Sequence, residues 1–485
     1  MIDLFLRENV VQAEEKVFRE NVSLSSLIER AGEGLKKECE RFSRIAIFVG
    51  SGNNGADGAQ AGLLLLDEGK SVDIFTVGEI KGEETKSRLR QLKTQGVSID
   101  DFKVADLDQY DCVLDCIFGI GLNREVVGEY KDAIDKINAS KVYTISADIP
   151  SGLSVDTGKI YGVAVKADKT VSFSMMKAGY VLSDGRDCTG EIVLHDTGIK
   201  PQNPIAVLVS DVTFDKRKNN THKGSYGKIS LITGSAKYVG ASLLAERSAH
   251  ASLRSGAGLV RLCVPYSLKE VYQNRVVEST LTFLPDDGEK IDFDELVLDD
   301  ILSYSDVVGI GMGLGQSEGV KRVVEYILTN ATIPVVLDAD AINVISKNPE
   351  ILKLGKEVII TPHLGEFSRL LGKKVDEIDQ IRDAVAFSKE YGVCVHLKGS
   401  ASVTAYPDGQ VFITAEGCSA MAKGGSGDVL TGIITSFIAQ KIDNPVVKAS
   451  VIHGKAGKYA SVKIGEYGVL ARDIADCIPC VMKIN

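Results

Sequence analysis

The chain has 485 residues, 44% of them hydrophobic and 25% charged, with a formal net charge of −10. That length allows roughly two to four domains, each with its own core, and the composition is not that of a disordered chain. The acidic balance, without a long basic stripe, argues against a nucleic-acid surface. Nine cysteines are too few for a disulfide scaffold and odd in number, so reduced thiols are expected. Asp3, Arg7 and Glu8 interrupt the apolar N-terminus, and no stretch has the length needed to cross a bilayer, so a cytoplasmic protein without a membrane partner is expected.

The first forty residues read as helix, with Leu24, Leu27, Ile28, Ala31 and Leu35 on one apolar face. Apolar strands follow at residues 45–49, 72–77, 112–116 and 142–149, separated by helical stretches. This alternation predicts a Rossmann-like, doubly wound parallel sheet. Between Lys200 and Lys223 the periodicity fails, and Pro201, Pro204 and the polar run 215–220 look like a solvated connector. A domain boundary is therefore expected near residue 207, giving domains 1–207 and 208–485. Strands recur at 229–233, 259–264, 306–309, 335–338, 358–361 and 393–397, which predicts a second α/β domain. The pair Cys477/Cys480 has redox spacing but lacks a strand-to-helix setting, and the six histidines show no paired spacing for a transition metal.

Three strand ends in the first half carry acceptor-rich or glycine-rich turns. Gly50 to Gly58 (Gly-Ser-Gly-Asn-Asn-Gly-Ala-Asp-Gly) joins a strand to a helix, where its amides can bind phosphate and its Asn and Asp side chains can hold a cation or sugar hydroxyls. It lacks the Lys-Ser/Thr ending of a Walker loop. Asp115 stands beside the turn Gly119-Ile120-Gly121-Leu122-Asn123-Arg124-Glu125, and the third strand runs into Asp148-Ile149-Pro150-Ser151-Gly152. Oxygen ligands of this kind suit a hard monovalent or divalent cation.

In the second half the most informative segment is Met421-Ala422-Lys423-Gly424-Gly425-Ser426-Gly427-Asp428. Its glycines let backbone amides converge on an anion, and the apolar run 429–434 predicts a helix whose positive end faces that cradle. Asp428 at the helix start is placed to act as N-cap and to take a proton from a hydroxyl approaching the phosphate. Further site-like loops lie at 220–227, 309–315, Asp338 to Ala341, 361–366 and Lys398-Gly399-Ser400-Ala401-Ser402, each next to an apolar strand.

These motifs carry a family resemblance over nearly the whole chain. Residues 1 to about 205 resemble the epimerase domain of NAD(P)H-hydrate repair enzymes, and 208–485 resemble the dehydratase domain of the same system, a branch of the ribokinase-like superfamily. For the first half the resemblance implies a potassium ion on Asn54, Asp115 and Ser151. It implies substrate contacts from Asn54, Gly55, Ala56, Asp57 and Gly58, from Gly119 to Glu125, and from Asp148. Either Asp148 or Asp115 could be the base near carbon 6 of the nicotinamide ring. For the second half it implies nucleotide contacts from Lys398, Gly399, Ser400, Ala401 and Ser402 and from Cys418, Ser419, Ala420, Met421, Ala422, Lys423, Gly424, Gly425, Ser426 and Gly427. Gly313, His363 and Asp428 would face the hydrate. The family motif is commonly written with Asn or Pro before Met-Ala, where this chain has Cys418-Ser419-Ala420, a departure that touches nucleotide contacts more than the base.

The activity implied is repair of the hydrates NADHX and NADPHX: interconversion of R and S epimers, then dehydration of the S form at the expense of ADP, with magnesium neutralising phosphoryl charge. Homo-oligomeric assembly is expected as well. Two other readings are open on sequence. One is a ribokinase-like kinase for a small hydroxylated metabolite, since the Gly-Ser-Gly-Asp device phosphorylates alcohols generally. The other is a first domain that only binds nucleotide or serves as scaffold.

Overall fold

The computed structural model describes residues 1–484 and divides into two compact units, Ile2–Ala206 and the chain from Val207 onward. In the first, seven parallel strands form one sheet: β1 (Arg44–Val49), β2 (Ser71–Thr76), β3 (Ile99–Asp101), β4 (Cys112–Cys116), β5 (Tyr143–Ala147), β6 (Lys169–Phe173) and β7 (Glu191–His195). Their order is β3-β2-β1-β4-β5-β6-β7. Along β1, Ile45, Ile47 and Val49 enter one buried cluster with helices Leu24–Cys39 and Asn53–Asp67, while Ala46 and Phe48 enter another with helix Glu129–Ala139. A strand apolar on both faces is what a doubly wound sheet requires. The strand order reverses between β1 and β4, and ligands bind at such a switch point, beyond the carboxyl ends of the strands.

The N-terminal region differs from a single helix. Ile2–Phe5 is a short strand pairing in parallel with Met176–Lys177, and the helical part breaks into Arg7–Arg19 and Leu24–Cys39. Asn21 takes a left-handed φ of 65°, and the Ser23 side chain caps the second helix by accepting from the Ser26 amide at 3.1 Å. The short polar side chains of Asn21 and Ser23 favour these local conformations over continued helix.

The second unit is built on β8 (Lys228–Ile232), β9 (Leu259–Pro265), β10 (Thr280–Leu284), β11 (Val307–Ile310), β12 (Val335–Leu337), β13 (Val358–Ile360), β14 (Cys394–Leu397), β15 (Ser402–Ala405) and β16 (Val411–Thr414). Their order is β10-β9-β8-β11-β12-β13-β14-β15-β16, antiparallel only at β14-β15 and β15-β16. Helices Ser426–Ala439, Pro445–Ile464 and Ala471–Val481 share one large apolar core with these strands. The whole architecture is α/β. The segment expected to be a solvated connector is partly core: Val209, Val212 and Phe214 are buried, and Thr213–Phe214 pairs with Lys483–Ile484. Val209 ends the short apolar run 205–209 and Val212 and Phe214 alternate with Thr213, segments too short to declare burial until they pair in the fold. Cys477 and Cys480 lie inside the last long helix, one buried and one exposed. Among the described residues no helix is long and apolar enough to cross a membrane.

Candidate active sites

At the switch point of the first unit a cavity of about 980 Å³ is lined by Asn54, Asp57, residues 117–124 and Asp148, together with the helix face of Arg7, Val10, Val11, Glu14 and Phe18. Gly55, Ala56, Gly58 and Glu125 do not line it. A Cβ on Gly55 would stand 2.0 Å from the Gly50 carbonyl oxygen, and one on Gly58 would stand 2.4 Å from Cys116 Sγ. These glycines let the helix start close against β1 and β4, which is how Asn54 and Asp57 come to face the cavity.

Asp115, fully buried in β4, sits between Phe48 of β1 and Ser146 of β5. Its Oδ1 accepts from Ser151 Oγ at 2.6 Å and from the Ile117 amide at 3.3 Å. Oδ2 accepts from the Ser151 amide at 2.9 Å and Ser146 Oγ at 2.8 Å. Burial raises the Asp115 pKa, and these hydrogen bonds oppose the rise. Beside it, Asn54 Nδ2 donates to the Phe118 carbonyl at 2.9 Å, while Asn54 Oδ1 is buried without a hydrogen-bond partner. An orphaned amide oxygen costs about 1–3 kcal/mol of desolvation. Asn54 Nδ2 and Ser151 Oγ both reach the Phe118 carbonyl, and Ser151 also bonds Asp115, so the three side chains together offer the oxygen donors of a hard-cation site.

Asp148 occupies a left-handed φ of 62°. Its Oδ1 accepts from the fully buried Lys177 Nζ at 2.7 Å and from the Phe173 amide at 3.3 Å. Lys177 also donates to Ser172 Oγ at 3.0 Å, and the Tyr180 hydroxyl bonds both Ser172 Oγ, at 2.6 Å, and the Asp148 carbonyl. Burial alone would lower the lysine, but Asp148 and Tyr180 outweigh it and hold the ammonium above its ordinary pKa; burial pushes the Tyr180 phenol up to about 12. Two more acids share the cavity. Burial, then the charge of Asp148, raises Glu14, and the same two causes raise Asp57 strongly, against Arg88. Sequence reasoning did not single out Glu14, Lys177 or Tyr180. The available signal was a lysine in the otherwise uncharged segment 171–182 directly after a strand.

The second site gathers at the carboxyl ends of β12, β13 and β14. Register Leu337↔Ile360 and Ile360↔Val395 aligns the strand ends, and an isolated parallel bridge sets His363 beside Lys398. Asp338, buried, accepts from Lys398 Nζ at 2.7 Å and from Thr431 Oγ1 of the Ser426 helix at 2.8 Å. Burial would raise Asp338, but Lys398 and its hydrogen bonds leave the carboxyl below its ordinary pKa. A Cβ on Gly427 would lie 3.3 Å from Lys398 Nζ, so the glycine loop closes directly over this ion pair.

Asp428 is the third residue of helix Ser426–Ala439, and the N-cap position belongs to Gly425, at φ 88°. The expectation of a capping role for Asp428 is therefore corrected: its side chain is one turn too far along to cap, and is free for other chemistry. Burial first, then Asp338, raises its pKa to about 7 against the pull of Lys398. Glu366 is also raised to about 7 by burial. His363 is half-exposed and caps helix Leu364–Leu371, its Nδ1 accepting from the Gly365 amide at 3.0 Å. Gly313, at φ 65°, approaches the Ala241 backbone within 3.3 Å of an added Cβ. Cys418 caps the single short turn Ser419–Met421, where Ser419 bonds Glu466 and Lys423 Nζ donates to the Tyr467 carbonyl at 2.5 Å. Ser426 Oγ lies 3.3 Å from Nε2 of His453, whose pKa burial pulls down to about 4. Among the described residues no group of three His, Cys, Asp or Glu could hold a metal alone. A magnesium ion here would take most of its ligands from nucleotide phosphates, the usual arrangement for that ion.

A doubly wound domain with a cation-competent switch point, and an α/β domain closing a glycine loop over a Lys-Asp pair, define a two-site enzyme of small-molecule chemistry. The family profile described as NAD(P)H-hydrate dehydratase matches residues 229–480, and that described as YjeF-related protein N-terminus matches residues 24–179. The bifunctional NAD(P)H-hydrate repair enzyme Nnr of Moorella thermoacetica is 33% identical, covering 94% of this chain and 92% of its own. That of Escherichia coli K12 is 31% identical over 93% and 88%. An ADP/ATP-dependent NAD(P)H-hydrate dehydratase of Bacillus subtilis, solved crystallographically, is 30% identical with a TM-score of 0.46, covering 56% of this chain and 93% of its own. The chain belongs to the family of bifunctional NAD(P)H-hydrate repair enzymes.

Proposed function

We propose that residues 1–207 interconvert the R and S hydrates NADHX and NADPHX, and that residues 208–485 dehydrate the S form with ADP as phosphoryl donor, yielding NAD(P)H, AMP and phosphate. The observation that carries the second half is Asp428: a carboxyl with a pKa of about 7, at the start of a helix, beside the Lys398–Asp338 pair. It accepts the proton of the carbon 6 hydroxyl as that oxygen attacks the terminal phosphorus of ADP. AMP leaves, and the helix start and Lys398 carry the developing phosphoryl charge. Phosphate then departs from carbon 6 with loss of a proton from carbon 5, restoring the conjugated ring. Cys418 to Gly427 and Lys398 to Ser402 hold the nucleotide and Gly313 and His363 face the hydrate; a magnesium ion bound with the nucleotide would supply neutralising charge for the phosphates.

In the first half, Asp148 is the better placed base. It lines the cavity and only its Oδ1 is engaged, whereas both oxygens of Asp115 are fully bonded. Asp115 would instead join Asn54 and Ser151 in holding potassium. Substrate contacts come from Asn54, Asp57, the turn from Gly119 and Asp148. The reading includes a cytoplasmic location and a homo-oligomer, the latter checked by light scattering.

The test is the absorbance of reduced nicotinamide after mixing the protein with an epimer mixture of NADPHX, magnesium and potassium, with ADP or ATP in parallel. A rise with ADP that consumes both epimers supports the proposal. A rise with ATP alone corrects the donor, and no rise with either nucleotide returns the second domain to the general small-molecule kinases.

A further inference from the structure

One wall of the first cavity is a single helix face on which Arg7, Val10, Val11, Glu14 and Phe18 recur at helical spacing. Val11 and Phe18 are partly exposed on it and give this wall an apolar character. At the head of this face stands Arg7. Its backbone amide is fixed by Asp156 Oδ1 at 2.6 Å, yet its side chain has neither an ion pair nor a hydrogen bond among the described residues, and Nε is shielded from solvent with no acceptor. That nitrogen pays desolvation without compensation, the rest of the guanidinium is only partly buried, and its fork matches phosphate oxygens.

None of the acids lining the cavity, Glu14, Asp57, Glu79, Glu129 and Asp148, forms an ion pair or hydrogen bond with the Arg7 side chain. Asp148 is held by Lys177, and Lys81 rests on Glu79 at 3.3 Å. Burial drives Glu14 and Asp57 toward their neutral forms. Glu14, whose charge couples to Asp148 and Lys177, lies seven residues from Arg7, about 10 Å along the axis. Arg7 is thus set back from the acid-base centre, along the same wall.

We propose that Arg7 anchors a phosphate group of the dinucleotide in the N-terminal site, with Val11, one turn along the helix, as the apolar surface beside it. This rests on the reading of that domain as acting on dinucleotide hydrates. The phosphate belongs either to the pyrophosphate or to the 2′ position of NADPHX, and the test separates the two.

Epimer equilibration is followed on the full chain without ADP, for both hydrates, in wild type, Arg7→Gln and Arg7→Lys. Arg7→Gln is expected to raise KM about tenfold or more with kcat little changed, the size of a charged hydrogen bond. Arg7→Lys recovers part of the loss. A rise for both hydrates assigns the pyrophosphate, and a rise confined to NADPHX assigns the 2′-phosphate. In parallel, NADP+ binding is measured by calorimetry with the second site saturated by ADP, and Kd should weaken by the same factor. A KM and a Kd within twofold of wild type overturn the assignment, as does wild type that binds no NADP+. Wild type that binds NADP+ through Arg7 but equilibrates no epimers keeps the assignment and removes the epimerase reading.

Discussion

Asp428→Asn removes a half-buried carboxyl whose pKa is raised from 3.8 to about 7. A folded-state pKa above the unfolded one means that ionised Asp428 destabilises the fold. The cost is absent below about pH 4, grows as pH rises to about 7 and is constant beyond. Three units at about 1.4 kcal/mol each set a ceiling near 4 kcal/mol, and partial exposure brings the expected value to about 2 kcal/mol. The variant should therefore melt a few degrees higher than wild type at about pH 8, with the difference vanishing near pH 4. Dehydration should fall by several orders of magnitude while epimerisation continues. In wild type the dehydration rate should climb about tenfold per pH unit up to about 7 and then level, as the base ionises. Thermal melting across pH, paired with reduced-nicotinamide absorbance, reads all three. A variant that is inactive but no more stable at about pH 8 would refute the account of Asp428 as a desolvated base; one that is stabilised and still active would remove it from the chemistry.

Asp115→Ala should impair epimerisation and its potassium dependence and leave dehydration unchanged; chiral separation of the two hydrates reads the first, absorbance the second. Lys177→Met strands Asp148 without its buried partner and should cost about 3 kcal/mol in urea unfolding of the first domain. Because the Lys177 pKa is raised, its contribution is complete at neutral pH and is lost only in alkali, above its ordinary value of 10.5. Gly55→Ala places a methyl 2.0 Å from a backbone oxygen and should lower the first domain's stability by at least about 2 kcal/mol, a loss that potassium does not rescue.

The sequence by itself determined the alternation of strands and helices, the glycine turns at the strand ends and the family they resemble, because these depend on local periodicity and on residues adjacent in the chain. It also marked Asn54, Asp115, Asp148, Ser151 and Asp428 as chemistry-bearing. What it did not separate is close-packing glycine from ligand-facing glycine: Gly55 and Gly58 stand in the same motif as Asn54, yet serve the contact with β1 and β4. Only the tertiary structure brought Lys398 to Asp338, 60 residues away, and Lys177 to Asp148, 29 away, and buried them enough for the charges to matter. It also turned Arg7 and Glu14 onto one cavity wall and left Asn54 Oδ1 without a partner. Desolvation and charge coupling depend on what surrounds a side chain in space, so the pKa of about 7 that suits Asp428 to act as a base arises only when burial and Asp338 are brought to it by the fold.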